Sequence, residues 1–255
     1  MSHVICVHSY KGGTGKTLIA INLAFQLSKT NRILLIEADF LMPCFFQIFP
    51  NEEISSYYND FYEGDRRLLR DCIESSPFSN LDLVYVSPDY DPKFFSKGHN
   101  YHLNKLKVFL NQLGALNYDF IILDSAPGRN FVSIGNLVIA HLALVVVRPT
   151  NYSVMGTKIM LGDVYEKIKP PKMLPTFIIF NQVPLPNSIR IKSQMKEWTR
   201  ILIDTQRVTE SFMIPFNEET ALEAALGKSV FTKGLFSEKI EEIKVQIIEY
   251  FEKLI

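Results

Sequence analysis

Short, continuous runs of Val, Ile, Leu and Phe alternate along this chain with longer segments whose apolar residues recur at helical spacing. Strands covered by helices on both faces are apolar at nearly every position, whereas half-exposed strands alternate apolar and polar residues. The alternation predicts an α/β fold with a doubly wound, mainly parallel sheet that binds ligands beyond the carboxyl ends of its strands. The predicted strands are Val4–Ser9, Ile33–Asp39, Leu81–Ser87, Phe120–Ser125, Ala143–Pro149, Thr176–Val183 and Val208–Pro215.

Two intervening helices are marked by apolar residues three or four positions apart. These residues are Ala20, Leu23, Ala24 and Leu27 in one segment, and Leu103, Leu106, Leu110 and Leu113 in another. Ser153 is expected to cap a further helix that ends before Pro170 and Pro171. The longest apolar stretch, 131–147, contains Asn136 and His141. It suits a buried helix followed by a buried strand better than a membrane-spanning helix of about 20 residues.

The composition is that of an ordinary globular protein. Of the 255 residues, 47% are hydrophobic and 21% are charged, which argues against disorder and allows one large domain. The 27 basic and 27 acidic residues balance, so any surface for nucleic acid or acidic lipid must be local. Cys6, Cys44 and Cys72 form no metal-binding or disulfide pattern, and no signal peptide is visible. We therefore expect a single domain spanning 1–255 in a cytoplasmic protein.

A glycine-rich segment follows the first predicted strand and opens the first predicted helix. It reads Lys11-Gly12-Gly13-Thr14-Gly15-Lys16-Thr17. In a G-x-x-x-x-G-K-[ST] loop, open backbone N–H groups surround phosphates at a helix N-terminus, the lysine reaches the terminal phosphates, and the hydroxyl ligates Mg²⁺. Ser9 or Tyr10 takes the place of the first glycine. The segment predicts a phosphate-binding loop in preference to a glycine turn that precedes a lysine by chance.

The pattern Lys-Gly-Gly-x-Gly-Lys-Thr resembles the deviant phosphate-binding loop of the ParA/MinD family of P-loop ATPases. The resemblance implies that Lys11 reaches across a nucleotide-sandwich dimer to the phosphates held by the other subunit. A second lysine there would supply positive charge in the transition state, as an arginine finger does. The resemblance assigns catalysis to Lys11, Lys16 and Asp39. It assigns ATP contacts in the loop to Lys11, Gly12, Gly13, Thr14, Gly15, Lys16, Thr17 and Leu18.

Two carboxylates end the second predicted strand. Asp39 matches the family aspartate that positions the attacking water. Glu37 departs from the family, which usually has aspartate at this position, and this departure places the rate of hydrolysis in question. Two solvated acids at a strand end are the alternative interpretation.

A third acid, Asp124, ends the apolar strand before the turn Ser125–Gly128. The resemblance makes it a Walker B aspartate that holds the Mg²⁺ shell, and the alternative is a cap for the next helix. The predicted metal ligands are Thr17, Asp39 and Asp124.

The adenine base is expected to lie against two later segments. Asn181 is the first polar residue of its strand, and in the family this asparagine hydrogen-bonds the adenine edge, because an amide both donates and accepts. Pro215 and Phe216 resemble the turn that flanks the base. No guanine-reading pattern is present, so ATP is the expected nucleotide, together with Mg²⁺.

The resemblance implies an ATPase that forms an ATP-dependent homodimer, hydrolyses ATP to ADP and phosphate when an activating protein stimulates it, and positions or partitions a cargo. The cargo would be a chromosome or plasmid, the division site or surface machinery, with recruitment to the nucleoid or inner membrane surface. A slowly hydrolysing or non-hydrolysing adaptor that docks a protein partner is the alternative. Metal-cluster carriers are disfavoured because cysteine pairs are lacking, and amide-forming synthetases because they typically lack a lysine like Lys11.

Two segments of the chain are candidates for binding the DNA or membrane surface to which the protein would be recruited. Non-specific DNA would need a basic stripe such as Arg190, Lys192, Lys196 and Arg200, although the zero net charge favours a solvated helix face. A membrane would need the C-terminal amphipathic helix in 235–255, whose apolar side is Phe236, Ile240, Ile243, Ile247, Phe251 and Leu254. That helix carries five glutamates against three lysines, which favours packing on the domain over binding anionic lipid.

Residues 50–100 are the least informative part of the sequence. The aromatic residues Tyr57, Tyr58, Phe61 and Tyr62 are expected in the core. The region 50–100, which includes a loop from Pro88 to Asn100, is a candidate docking region for a partner.

Overall fold

The computed structural model describes residues 2–64, 68–89, 96–167, 174–184, 189–203, 208–226, 231 and 234–254. Its strands are β1 (His3–His8), β2 (Ile33–Ala38), β3 (Ile73–Ser75), β4 (Leu81–Val84), β5 (Phe120–Ser125), β6 (Leu142–Val147), β7 (Thr176–Val183) and β8 (Val208–Pro215). Its helices are α1 (Lys16–Ser28), α2 (Phe45–Ile48), α3 (Tyr58–Glu63), α4 (His99–Leu113), α5 (Phe131–Ile139), α6 (Asn151–Asp163), α7 (Ile189–Ile203), α8 (Glu218–Ala225) and α9 (Leu235–Glu252).

The strands form one eight-stranded sheet in the order β3-β4-β2-β5-β1-β6-β7-β8. All neighbouring strands are parallel except β3 and β4. The predicted doubly wound, mainly parallel α/β sheet is confirmed, and each of the seven predicted strands is present. The sequence analysis missed β3, because three partly exposed residues at a sheet edge are too few to show a pattern.

Neighbouring residues of a strand pack on opposite faces of the sheet, which explains the continuous apolar runs. In β1, Ile5 and Val7 pack in the core with α1 and α9. Val4 and Cys6 face the other side, where the core is completed by α3, α4, α5, α6 and α7. The sheet therefore lies between two helical layers, with β1 in its interior.

The C-terminal helix α9 packs along α1. Its buried residues are Phe236, Ile240, Ile243, Ile247 and Phe251. Leu254 was assigned to the same apolar side, but it lies beyond the helix and is 64% exposed. The side chains that a membrane-bound tail would present to lipid are thus part of the core. None of the described helices is long and apolar enough to cross a membrane.

The helix that begins at Asn151 is capped differently from the prediction. Thr150 is its N-cap and accepts a hydrogen bond from the backbone N–H of Ser153 at 3.3 Å. Ser153 lies inside the first turn of α6, where its hydroxyl accepts from the N–H of Arg148 at 3.2 Å. The prediction that Ser153 caps the helix was wrong by three positions. Pro170 and Pro171 lie outside the described residues.

The other helical predictions have mixed outcomes. In α4, Leu113 is buried, but Leu103 and Leu110 are 40% and 42% exposed, so their spacing does not mark the core face. The aromatic residues Tyr58, Phe61 and Tyr62 are buried as predicted, whereas Tyr57 is partly buried. The stretch 131–147 forms α5 and β6 as predicted. Of the loop from Pro88 to Asn100, residues 90–95 lie outside the described residues.

Candidate functional site

The glycine-rich loop spans the gap between β1 and α1, at the carboxyl edge of the sheet. Gly13 and Gly15 have φ values of 71° and 84°, a backbone region that L side chains rarely adopt. A Cβ atom on Gly15 would also lie 2.3 Å from the Asn181 amide nitrogen. Within the described part of the chain, no side-chain hydrogen bond caps the start of α1. Its first N–H groups are therefore open to an anion.

Lys16 forms a buried ion pair with Asp124. The ammonium lies 3.0 Å from Oδ1 of Asp124, and the two side chains are 8% and 1% exposed. Strand pairing sets this approach, since Val7 of β1 is in register with Asp124 of neighbouring β5. Burial opposes the charge on Lys16, but the carboxylates of Asp124 and, to a smaller extent, Asp39 favour it, and the lysine pKa is raised. Lys16 is thus held protonated at the start of α1.

Asp124 does not cap the helix that follows it. The N-cap of α5 is Asn130, whose side chain accepts from the N–H of Ser133 at 2.8 Å. The alternative interpretation of Asp124 as a helix cap was therefore wrong.

Asp39 follows β2 and is 9% exposed. Its Oδ1 accepts hydrogen bonds from the N–H groups of Leu41 at 3.3 Å and Met42 at 3.2 Å. Burial raises the pKa of Asp39, while the charge of Lys16 lowers it and that of Asp124 raises it. The side chains of Lys16, Asp39 and Asp124 are therefore close enough to interact at the ends of neighbouring strands. The alternative of solvated acids was wrong.

Glu37 is 1% exposed and faces backbone donors. Its Oε1 accepts from the N–H groups of Cys44 and Phe45, the latter at 2.9 Å, and its Oε2 accepts from the N–H of Val86 at 2.9 Å. Burial raises the pKa of Glu37 to about 7, against the effect of these hydrogen bonds. The sequence analysis named Glu37 only as a departure from the family. Its hydrogen-bond partners are distant in sequence, so no sequence pattern pointed to this arrangement.

Lys11 is not a member of the buried pair. Its side chain is exposed, and its ammonium lies 5.9 Å from the ring centre of Tyr10. The Tyr10 ring lies so close to Gly156 of α6 that a Cβ there would be 2.0 Å from a ring carbon. One loop thus presents a buried lysine, Lys16, and an exposed lysine, Lys11.

A cleft beside the loop contains the residues predicted to flank the base. It is lined by Gly15, Leu18, Asn181, Gln182, Pro215, Phe216, Asn217, Thr220, Ala221 and Phe236. The Asn181 amide donates to the carbonyl of Thr14 at 2.8 Å, so its nitrogen supports the loop and its oxygen is left to accept. Phe216 is 42% exposed at the rim. The adenine contact of Asn181 stays a prediction.

The predicted metal ligands are oxygen atoms at the same end of the sheet. Thr17 follows Lys16 in the first turn of α1 and is partly exposed. Asp39 and Asp124 supply carboxylates, and hydroxyl and carboxylate oxygens suit Mg²⁺. Across the described ranges, no group of three or more His, Cys, Asp or Glu side chains forms a metal site. A cation here would therefore share its coordination with water or phosphate.

His8 is a residue of this site that the sequence analysis missed. Its Nε2 lies 2.8 Å from the carbonyl of Gly128 and therefore donates, and its Nδ1 accepts from the Tyr165 hydroxyl at 3.0 Å. The N–H of Gly128 in turn donates to the carbonyl of Ser9 at 2.9 Å. Two hydrogen bonds of Gly128, one to the His8 side chain and one to the Ser9 backbone, thus connect the turn after Asp124 to the start of the loop. A lone polar residue ending an apolar strand was the available signal.

The sequence comparison finds a family match over most of the chain. The AAA_31 family, described as an AAA domain, matches residues 2–172. The chain belongs to this family. An uncharacterised protein of Methanocaldococcus jannaschii is 31% identical over 193 residues, which cover 70% of this chain and 73% of that protein. The septum site-determining protein MinD of Buchnera aphidicola is 28% identical over 177 residues, which cover 66% of this chain and 61% of MinD.

The fold of this AAA_31 protein is also that of solved MinD. The structure of MinD from Pyrococcus horikoshii, complexed with Mg-ADP, superposes with a TM-score of 0.73 at 20% identity, covering 97% of this chain and 96% of that chain. The resemblance to ParA/MinD P-loop ATPases is confirmed at the level of family and fold.

The buried His8 of this AAA_31 protein generates a pH prediction. Burial lowers its pKa to about 4, whereas an unfolded histidine titrates near 6.5. The folded protein keeps His8 neutral, so its contribution to stability is complete above about pH 6.5 and is lost as the pH falls towards 4. Between pH 7.5 and pH 5, the stability advantage of the wild type over His8→Gln should shrink by about 2 kcal/mol.

Urea unfolding of both proteins at the two pH values measures this change. Other titrating groups are common to both proteins and cancel in the difference. A difference that stays constant with pH would show that folding does not lower the pKa of His8.

Proposed function

We propose that this protein is an ATP-dependent switch ATPase that dimerises around two Mg·ATP and hydrolyses ATP to ADP and phosphate. The observation that carries the proposal is that the two lysines of one loop differ in exposure and in pairing. Lys16 is buried with its ammonium 3.0 Å from Oδ1 of Asp124, where it is placed to bind a phosphate held by its own loop. Lys11 is exposed, with its ammonium 5.9 Å from the ring centre of Tyr10. A lysine so placed is suited to contact phosphates held by a second subunit.

The phosphates of ATP are proposed to bind the N–H groups of the loop. The loop residues Lys11, Gly12, Gly13, Thr14, Gly15, Lys16 and Thr17 lie at the uncapped start of α1, and Leu18 lines the adjoining cleft. The adenine is proposed to lie in that cleft, near Asn181, Pro215 and Phe216. The similar MinD of Pyrococcus horikoshii was solved with Mg-ADP, which supports the proposal that this chain binds a nucleotide.

Mg²⁺ is proposed to be held by Thr17, Asp39 and Asp124, where it would neutralise phosphate charge. The oxygen donors fit, since one carboxylate oxygen of Asp124 pairs with Lys16 and the other has no hydrogen bond within the described residues.

The chain's own groups suit phosphoryl transfer to water. Asp39, fixed by two backbone N–H groups, is proposed to orient the attacking water, and Lys16 to bind the terminal phosphate. Lys11 of a second copy would add positive charge as the phosphoryl group transfers.

The biological role is proposed to be the positioning or partitioning of a cargo inside the cell, with an activating protein that triggers hydrolysis. MinD of Buchnera aphidicola is described as septum site-determining, which supports this class of role. A slowly hydrolysing adaptor that docks a protein partner is the second candidate, because Glu37 departs from the family pattern.

Lys11→Ala tests the proposed role in trans. In an Asp39→Ala background, which is expected to bind ATP without hydrolysing it, ATP should convert monomer to dimer. Adding Lys11→Ala should weaken this dimerisation at least tenfold, while ATP binding to the monomer changes little. Sedimentation velocity with ATP or ADP measures the mass, and Lys107→Ala, an exposed lysine of α4, is the control. Unchanged dimerisation and turnover in Lys11→Ala would rule out the in-trans role.

Helix α7 offers one candidate surface through which the dimer could bind DNA. Lys192, Lys196 and Arg200 are exposed, while Met195 is buried and Trp198 is partly buried, as the sequence pattern indicated. The side chain of Arg190 lies outside the described residues.

Co-sedimentation of the Asp39→Ala variant with DNA tests this α7 surface. Binding that requires ATP and weakens at least tenfold between low and moderate salt is the result expected for DNA. Substituting Lys192, Lys196 and Arg200 by alanine should then abolish it. If the variant does not bind DNA in the presence of ATP, a protein or membrane surface is favoured instead.

A further inference from the structure

Glu37 connects three separate segments of the chain. Its carboxylate accepts hydrogen bonds from the N–H groups of Cys44 and Phe45, directly before α2 and at its start, and from the N–H of Val86, which follows β4. Glu37 itself is the penultimate residue of β2, two positions before Asp39. One buried side chain therefore fixes the end of β2, the far end of the loop 39–44 and the end of β4.

This arrangement holds the loop 39–44 at both of its ends. At its start, Asp39 accepts from Leu41 and Met42. At its far end, Glu37 accepts from Cys44 and Phe45. Phe40 packs in the core against Tyr58 and Tyr62. The next residues, Leu41 and Met42, are 55% and 77% exposed, so little packing holds the loop after Phe40. The path of the loop from Leu41 to Cys44 therefore depends on these hydrogen bonds.

We infer that Glu37 is a positioning residue for ATP hydrolysis: its carboxylate ties the Asp39 loop to β4 and does not take part in the chemistry. Both carboxylate oxygens are occupied by backbone donors, which leaves Glu37 poorly suited to orient a water. The inference rests on the proposed function, and it assigns a role to the residue that departs from the family pattern.

The length of the side chain matters for this role. The backbone of Glu37 is fixed by pairing with Asp124 of β5, and the preceding Ile36 pairs with Val84 of β4. Aspartate is shorter by one methylene, roughly 1.5 Å, and so cannot reach all three donors. Glutamine keeps the length, but its NH₂ group would face one set of backbone N–H donors. Each substitution should therefore break a different part of the connection.

The first experiment measures the connection without nucleotide. Hydrogen exchange of the backbone amides of Cys44, Phe45 and Val86 should become at least tenfold faster in Glu37→Asp. In Glu37→Gln, the amides that donate to the oxygen replaced by NH₂ should lose protection. The amides that donate to the remaining oxygen should keep it. Glu74→Gln is the matched control, because Glu74 also accepts a backbone N–H, from Ser55 at 3.2 Å, but lies on the edge strand β3. Exchange at positions 44, 45 and 86 should be unchanged in that control.

The second experiment measures hydrolysis. Glu37→Asp and Glu37→Gln should lower kcat at least tenfold and change the KM for ATP less than threefold, because the loop and cleft that bind ATP are intact. Glu74→Gln should leave both constants unchanged.

The two experiments separate the possible failures. Unchanged amide protection in both Glu37 variants would overturn the connection itself. Lost protection with unchanged kcat would leave Glu37 as a structural residue only and overturn its role in hydrolysis. Failure of the wild-type protein to bind ATP, or to hydrolyse it even at a slow basal rate, would instead refute the proposed function, whatever the exchange experiment shows.

Discussion

The candidate site depends on one buried ion pair, between Lys16 and Asp124. Each side chain would be costly to bury alone, and removing one partner of such a pair typically costs about 3–5 kcal/mol because an uncompensated charge remains. Their 3.0 Å contact requires β1 and β5 to be neighbours in the sheet, although 108 residues separate the two side chains. The pair thus joins the phosphate-binding loop to the sheet. It also places a fixed positive charge where a nucleotide phosphate would bind.

Most of the fold could be predicted because its strands are buried on both faces and so appear as continuous apolar runs. The loop was also predictable, since phosphate binding requires glycine and lysine at fixed spacing directly after a strand. Helix faces were less predictable. Leu103 and Leu110 have core-like spacing in α4 but are exposed, because the neighbouring elements decide which face of the helix is covered.

The remaining features of the site could not be predicted because they depend on tertiary contacts. The partners of Glu37 lie up to 49 residues away, and Tyr165 is 157 residues from His8. Asn181 stood out as the first polar residue of its strand, but nothing in the sequence indicated that its amide supports the carbonyl of Thr14. In each case a polar side chain interrupts an apolar run and finds its partner only when the sheet forms.

The most direct test of the account is Mg·ATP binding to a variant in which both members of the ion pair are neutral, Lys16→Met with Asp124→Asn. The double substitution removes both charges of the pair together, so the fold should be retained and can be checked by circular dichroism. Titration calorimetry on this variant and the wild type then isolates the role of the pair in binding. The account predicts that the folded double variant loses at least tenfold in affinity. Equal affinity, or a wild-type protein that does not bind Mg·ATP, would contradict it.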